Sequence, residues 1–354
     1  MRLMRNLLLL LLLVMGGYYF LEQNNISPEE TIDDFSKVLK QKKNMLETKE
    51  VPEEKQESIP LEGDFFHWAG KTSDELAKEL GEPVRKDLSA YGYTWWVYTD
   101  QMNQYIQFGI DDDEIKTIFA FGNDLPTEPI QMGESYDVVN EQVSFKNEVT
   151  YSEGISSYTF RLNDEDLRMR PLAKIQDDLF IQYYFDTFTN ELSSIRILTA
   201  DVLLQHRPYE VEYRGNLPEP PELSDEQWAK VESGMEQQIF DMTNVMRNQH
   251  EKSGLEREKS VGEVAFSHSK DMSDNNYFSH YGLDGSGLKE RLAAEEIHYL
   301  AAGENIAAQY TDAPAAMIGW LNSEGHREAL FNDDYTHLGV GVYRFYYTQN
   351  FLSK

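Results

Sequence analysis

The sequence predicts an α+β protein: a domain built from a repeated helix-plus-antiparallel-sheet unit, then a second domain in which helices lead, all preceded by a membrane helix. Three observations predict it. Aromatic and polar residues alternate through "YGYTWWVYTD", "QYIQFGIDDDEIKTIFAFG" and "LFIQYYFDTFTNELSSIRIL", the period-two pattern of strands. Helical spacing takes over beyond the Pro- and Glu-rich "HRPYEVEYRGNLPEPPELSDEQW". At the start, Arg2 and Arg5 precede an unbroken apolar run from Leu7 to Leu21.

That N-terminus has the layout of an export signal. The following "GGYYFLEQ" offers no small-x-small cleavage site, and with Leu3 and Met4 the run approaches membrane-spanning length. The expectation is an uncleaved signal anchor over residues 1–21, with secretion after cleavage as the alternative. The excess of positive charge keeps Arg2 and Arg5 in the cytoplasm and places everything after Leu21 outside the cell. Residues 22–60 read as a polar stalk, in which Ile32, Phe35, Val38 and Leu39 share one face of a short helix after Ser27-Pro28.

Residues 61–205 read as the repeated domain. "GKTSDELAKELG" from Gly70 is echoed by "GESYDVVNEQV" from Gly133, and "YIQFGIDDDEIKTI" from Tyr105 by "FIQYYFDTFTNELSSI" from Phe180. The acidic run Asp111–Asp113 is expected to be a hairpin turn, since it lacks the alternating ligands and distal Glu of a calcium loop. Residues 206–233 read as a linker, and 234–354 as the last domain, opening on a helix near Gly234.

Composition narrows the function. In 354 residues, Lys plus Arg number 32 against 62 Asp plus Glu, a formal net charge of -30. Such a surface repels phosphate backbones, so no nucleic-acid partner is expected. There is no cysteine, which excludes disulfides, thiolate nucleophiles and thiolate metal sites. No glycine-rich phosphate loop, nucleophile elbow or pair of zinc histidines four apart on a helix is present.

In the last domain, "MEQQIFDMTNVMRNQHEKSG" places Ile239, Met242, Val245, Met246 and Gln249 on one helix face, with Gly254 as the stop. A second helix carries Val264, Ala265, His268 and Met272 inward and delivers Tyr277-Phe278-Ser279-His280 into a loop. His268 reads as a core histidine. "SGLKERLAAEEI" is a third helix, "GEN" at 303–305 a turn, and "WLNSEGHREALF" a turn opening a helix at His326. "HLGVGVYRF" and "YYTQNF" close the chain as strands. His280, Glu304 and His326 each follow or open a turn, and two neutral imidazoles with a carboxylate are a legitimate ligand set for zinc. Glu304 equally suits an orienting group or a general base. A helix start biases His326 toward its neutral form. The residues leave the structural reading open as well: His326 capping its helix, Glu304 binding turn amides, His280 packing.

Taken in order, "YFSH", "GENIA", "WLNSEGHR", "HLGVGV" and "YYTQNF" resemble the cysteine-free bacterial form of the CAP superfamily of cysteine-rich secretory, antigen 5 and pathogenesis-related proteins, here behind a CAP-associated domain. The resemblance covers about the last third of the chain and implies an α-β-α sandwich with a central cleft. The family's cleft holds two His and two Glu; by motif, His280, His326 and Glu304 would supply three of them. Where the family places the second acid, three residues after the tryptophan Trp320, this chain has Ser323 with Glu324 beside it, so Glu324 substitutes or the acid is missing. Asn305, Trp320 and Tyr347 are expected as cleft walls, and Arg327 as a partner of Glu304 or Glu324. The resemblance implies an envelope protein of a Gram-positive bacterium, anchored in the cell membrane by its N-terminal helix with its domains outside. Its cleft would take a ligand or a divalent metal such as zinc, and its first domain would be an interaction module for an unidentified envelope ligand or protein. The alternative is a metal-dependent hydrolase of peptides or wall material using His280, His326 and Glu304, with Glu304 as the catalytic candidate.

Overall fold

The computed structural model describes residues 65–122 and 125–354. The membrane helix expected at 1–21 and the stalk expected at 22–60 lie outside the described residues. Among the described residues no helix is long and apolar enough to cross a membrane.

A 3-10 turn at Phe65–Trp68 leads into α1 (Ser73–Leu80), which Thr72 and Glu75 start with a reciprocal capping box. Strands β1 (Arg85–Leu88), β2 (Thr94–Thr99), β3 (Gln104–Asp111) and β4 (Glu114–Gly122) then run as an antiparallel meander. Helix α2 (Tyr136–Val143) opens the second arm, followed by β5 (Glu148–Glu153), β6 (Ser156–Arg161), α3 (Asp164–Met169), β7 (Leu172–Lys174), β8 (Leu179–Asp186), β9 (Glu191–Thr199) and α4 (Ala200–His206). The arms meet where β4 pairs with β9, giving a seven-stranded antiparallel sheet in the order β1-β2-β3-β4-β9-β8-β7.

The two arms carry the same hydrogen bonds. Gly70 N donates to Ile115 O and Ser73 N to Asp113 O; in the second arm Gly133 N donates to Leu192 O and Tyr136 N to Asn190 O. Thr72 bridges Glu114 as Ser135 bridges Glu191, and each hairpin breaks register near its tip. Both central hairpin strands are buried on both faces, so β3 and β8 do not divide into a dry and a wet side. Their alternate polar residues, Gln107 and Gln182, are inside the protein too.

The segment expected as a linker is largely ordered into elements. β10 (Glu210–Arg214) pairs with β6 in a three-stranded sheet, and α5 (Asp225–Gln249) begins before the expected helix start, capped by Ser224 and Gln227. Gly234 lies inside α5, where a Cβ would come 2.9 Å from Asp87 Cβ. Beyond α5 come β11 (Glu256–Arg257), α6 (Lys259–Asp274), α7 (Leu288–Ala294), β12 (Ala301–Ala308), α8 (Ala313–Leu321), α9 (Glu324–Leu330), β13 (His337–Tyr343) and β14 (Tyr346–Ser353). A third, four-stranded sheet has the order β11-β13-β14-β12. Tyr347 and Phe351 face α5 and α8, while Leu352 and Ala302 face α6 and α7.

The described residues, from Phe65 to Lys354, belong to one compact unit. A continuous cluster of buried side chains runs from Trp95, Phe119 and Tyr184 of the large sheet through Met242 of α5 and Trp320 of α8 to Phe351 of β14. Helices α5 and α8 are therefore a shared layer between the seven-stranded and the four-stranded sheet.

At that junction His206 is buried against the Tyr91 ring, 4.3 Å between centroids, and meets Tyr93 Oη at 3.0 Å. Burial, with the Arg196 charge adding to it and Asp312 opposing it, pushes the His206 pKa down to about 3. The unfolded chain protonates this ring near 6.5 while the folded chain refuses the proton. This contribution to stability is thus complete above that pH and is lost as the pH falls toward 3. In NMR titration the His206 ring is expected to stay neutral through pH 5, and His206→Gln to flatten the acid limb of the stability curve. A ring midpoint near the free-imidazole value would contradict this.

Candidate functional site

The site is assembled by three elements that the sequence places in order. The inward stripe of α6 buries Val264, His268 and Met272. His268 Nε2 donates to the Ser279 carbonyl at 3.0 Å, tying down the loop that carries His280. Helix α7 buries Leu292 and, one residue earlier, turns Arg291 toward the sheet. Strand β12 brings in Glu304.

Glu304 is where the three meet. His280 Nδ1 donates to Glu304 Oε1 at 2.9 Å, and Arg291 Nη2 donates to Oε2 at 2.5 Å. Arg291 Nη1 also donates to the carbonyls of His280 and Ser286, at 3.0 and 3.2 Å. The Glu304 and Arg291 side chains are 4% and 12% exposed, that of His280 is 50% exposed. The carboxylate only accepts, so the His280 proton sits on Nδ1 and leaves Nε2 as the outward atom, which has no partner among the described residues.

His326, in the first turn of α9, meets Ser323 Oγ through Nδ1 at 2.8 Å, and its carbonyl accepts from Asn305 Nδ2 at 3.0 Å. Burial first, and then the neighbouring His280, hold the His326 pKa below its usual value. The two imidazoles therefore stand within electrostatic reach of each other. Across the β12–β14 ladder from Glu304 lies Asn350, fully buried, with neither amide atom hydrogen-bonded. Directly opposed residues share a face, so the floor of the site holds an unused donor and an unused acceptor.

Other expected residues fall elsewhere. Gly303–Asn305 is the middle of β12, held by β14, and not a turn; a Cβ on Gly303 would strike Tyr335 Oη at 2.2 Å. Asn305 is buried on the opposite face of the strand, near Gln349. Trp320 is buried and donates its indole N–H to the Ile306 carbonyl at 3.0 Å, and the Tyr347 hydroxyl donates to the Tyr310 carbonyl. Both are part of the shared core. Arg327 pairs with neither Glu304 nor Glu324: its Nη1 donates to Asp186 Oδ2 at 2.8 Å, between the Phe188 and Phe331 rings. Ser323 orients His326, and Glu324 is exposed.

Whether these residues suit a metal is decided by Glu304. Both its oxygens are engaged, one by an imidazole and one by a guanidinium. Among the described residues no group of three His, Asp, Glu or Cys side chains stands close enough to hold a metal ion. The set offers two imidazole Nε2 atoms and no free carboxylate, which falls short of a zinc site. Sequence reasoning missed Arg291. Its signal was an arginine between Leu288 and Leu292, at the spacing of an inward stripe.

A three-layer sandwich carrying these histidines, behind a two-armed antiparallel domain, defines a class of two-domain α+β protein. Residues 240–353 match the cysteine-rich secretory protein family and residues 69–209 the CAP-associated N-terminal family, and the chain belongs to this CAP family. The uncharacterized membrane protein YlbC of Bacillus subtilis is 45% identical over 324 residues, covering 90% of this chain and 93% of that one. A crystal structure of an extracellular SCP-domain protein from Bacillus anthracis is 40% identical with a TM-score of 0.79, covering 86% of this chain and all (100%) of that one. A cysteine-rich secretory protein from Staphylococcus aureus is 26% identical with a TM-score of 0.73, over 84% and 94% of the two chains.

Proposed function

We propose that this is an exported envelope protein, anchored by its N-terminal apolar run, whose CAP recess binds an organic envelope ligand and whose first domain is a docked interaction module. The observation that carries the reading is the half-exposed His280, with His326 within electrostatic reach of it, over an internally neutralised Glu304–Arg291 pair. His280 has its Nδ1 taken by Glu304. His326, biased toward its neutral form, has a ring nitrogen Nε2 that accepts or donates according to the role Ser323 takes at Nδ1, so the two rings offer hydrogen-bonding nitrogens to a polar ligand. Asn350 supplies polar valence beneath them. The name of the Bacillus subtilis relative supports membrane placement, and the arginines ahead of the apolar run support an outside location for the folded part.

The test uses the full chain in detergent, titrated with a soluble muropeptide mixture. Wild type is expected to bind, and the His280→Ala, His326→Ala double variant to bind at least about tenfold more weakly, the step that about 1.4 kcal/mol represents. Equal binding by the two proteins would remove the recess from the function. Cleaved products that need both histidines would instead establish the hydrolase alternative.

A further inference from the structure

We propose that the Arg291 guanidinium occupies the place a divalent metal ion would take in this recess, so that the wild-type site excludes zinc and the cation is built into the chain. Arg291 Nη2 lies on the Glu304 oxygen that His280 leaves over, at 2.5 Å. The two remaining contacts of the fork, to the His280 and Ser286 carbonyls, clamp the loop from which His280 projects. A metal joining His280, His326 and Glu304 would have to lift this guanidinium off a buried carboxylate or sit beside a like charge at short range, and neither competes with the pair as it stands.

The position is built. Leu288 and Leu292 pack α7 against the helix and sheet around it, and that packing aims Arg291 inward. A guanidinium also suits a carboxylate better than a hydrated ion does where solvent is scarce, because its planar fork matches acceptors without a water shell. What the recess keeps of a metal site is its two imidazoles. What it gives up is the Lewis acid, and with it the activated water that metal-dependent hydrolysis needs.

This concerns the recess of the proposed reading, but it needs no ligand to be identified, so zinc occupancy and muropeptide binding succeed or fail separately. The experiment titrates chelator-stripped full chain in detergent with zinc sulfate by calorimetry, with elemental analysis after dialysis, and takes His280→Ala as the reference for adventitious sites. Wild type is expected to match the reference. Arg291→Met, which keeps the side chain's bulk and removes its charge, is expected to take up a further zinc that is at least about tenfold tighter than any wild-type site and disappears when His280→Ala is added. Arg291→Gln carries the same expectation should the methionine variant not fold. Arg291→Lys, which retains the charge, is expected to stay zinc-free. One zinc per wild-type chain, lost in His280→Ala, overturns the proposal; so does a folded Arg291→Met protein that binds no more zinc than wild type.

Discussion

Arg196→Met is expected to cost about 3–5 kcal/mol of stability, the range for breaking one partner of a buried ion pair. Arg196 on β9 and Asp312 at the start of α8 are 1% and 3% exposed, with Nη2 at 2.8 Å from Oδ2, and they join the two domains. Burial pulls the Arg196 pKa down, but the Asp312 charge and hydrogen bond, with Tyr184 and Tyr93 adding to them, together move it above its usual value, so the arginine stays charged. Its removal strands a carboxylate in the shared core. Asp312 also accepts from Ala315 N at 3.0 Å as the α8 cap, so Asp312→Asn is the better partner variant: it keeps the cap and removes the charge. The double variant is expected to recover part of the loss, and a double-mutant cycle by urea unfolding measures how much. The domains should stay docked. Arg85 still pairs with Asp241 at 2.8 Å, Gln238 with Asp87 at 3.0 Å, and Asn322 with Thr187 N at 2.7 Å. With one core through both domains, a single unfolding transition is expected; two separated transitions in wild type would show that the domains fold independently.

What could be read from the chain depended on how local its cause was. The repeat was legible because both arms use the same local device, a Gly-containing entry into a short helix, and the same hairpin. His280, Glu304 and His326 were legible as candidates through motifs, and the first two meet at 2.9 Å. Three features were not, each for a reason of distance. "GEN" reads as a turn because glycine and asparagine favour turns locally, but pairing with β14 overrides that preference, and Gly303 is there to admit Tyr335. Arg327 sits near Glu324 in sequence, and its partner Asp186 is 141 residues away. The alternation of aromatic and polar residues marks the strands but not what packs on them, and Arg196 and Gln182, polar members of that pattern, are buried groups. No periodicity within one domain announces that a second domain will pack on it.

The strand motif "HLGVGV" carries the other large effect. A Cβ on Gly341 would lie 1.8 Å from Phe266 N and 2.3 Å from the Ala265 carbonyl carbon, both backbone atoms of α6. Gly341 O meanwhile accepts from Ser269 Oγ at 2.9 Å, so helix and strand are pinned at this spacing. Flexible side chains can step aside from an added methyl group; two backbones in contact cannot, and one element must lift from the other. Gly341→Ala is therefore expected at or beyond the upper end of the overpacking range, about 3 kcal/mol or more. Gly325→Ala is the matched control: nothing lies within 4 Å of its Cβ, it sits in α9, and replacing glycine in a helix gains up to about 1 kcal/mol in propensity. The two variants change the same atom in the same domain and are expected to move the urea midpoint in opposite directions. The effect on the site is separable from stability. Because α6 holds the His280 loop through His268, lifting α6 should also shift the His280 ring signals in whatever fraction of Gly341→Ala remains folded. A folded variant with wild-type His280 signals would mean that the loop is positioned by Arg291 alone, and that α6 contributes nothing to the recess.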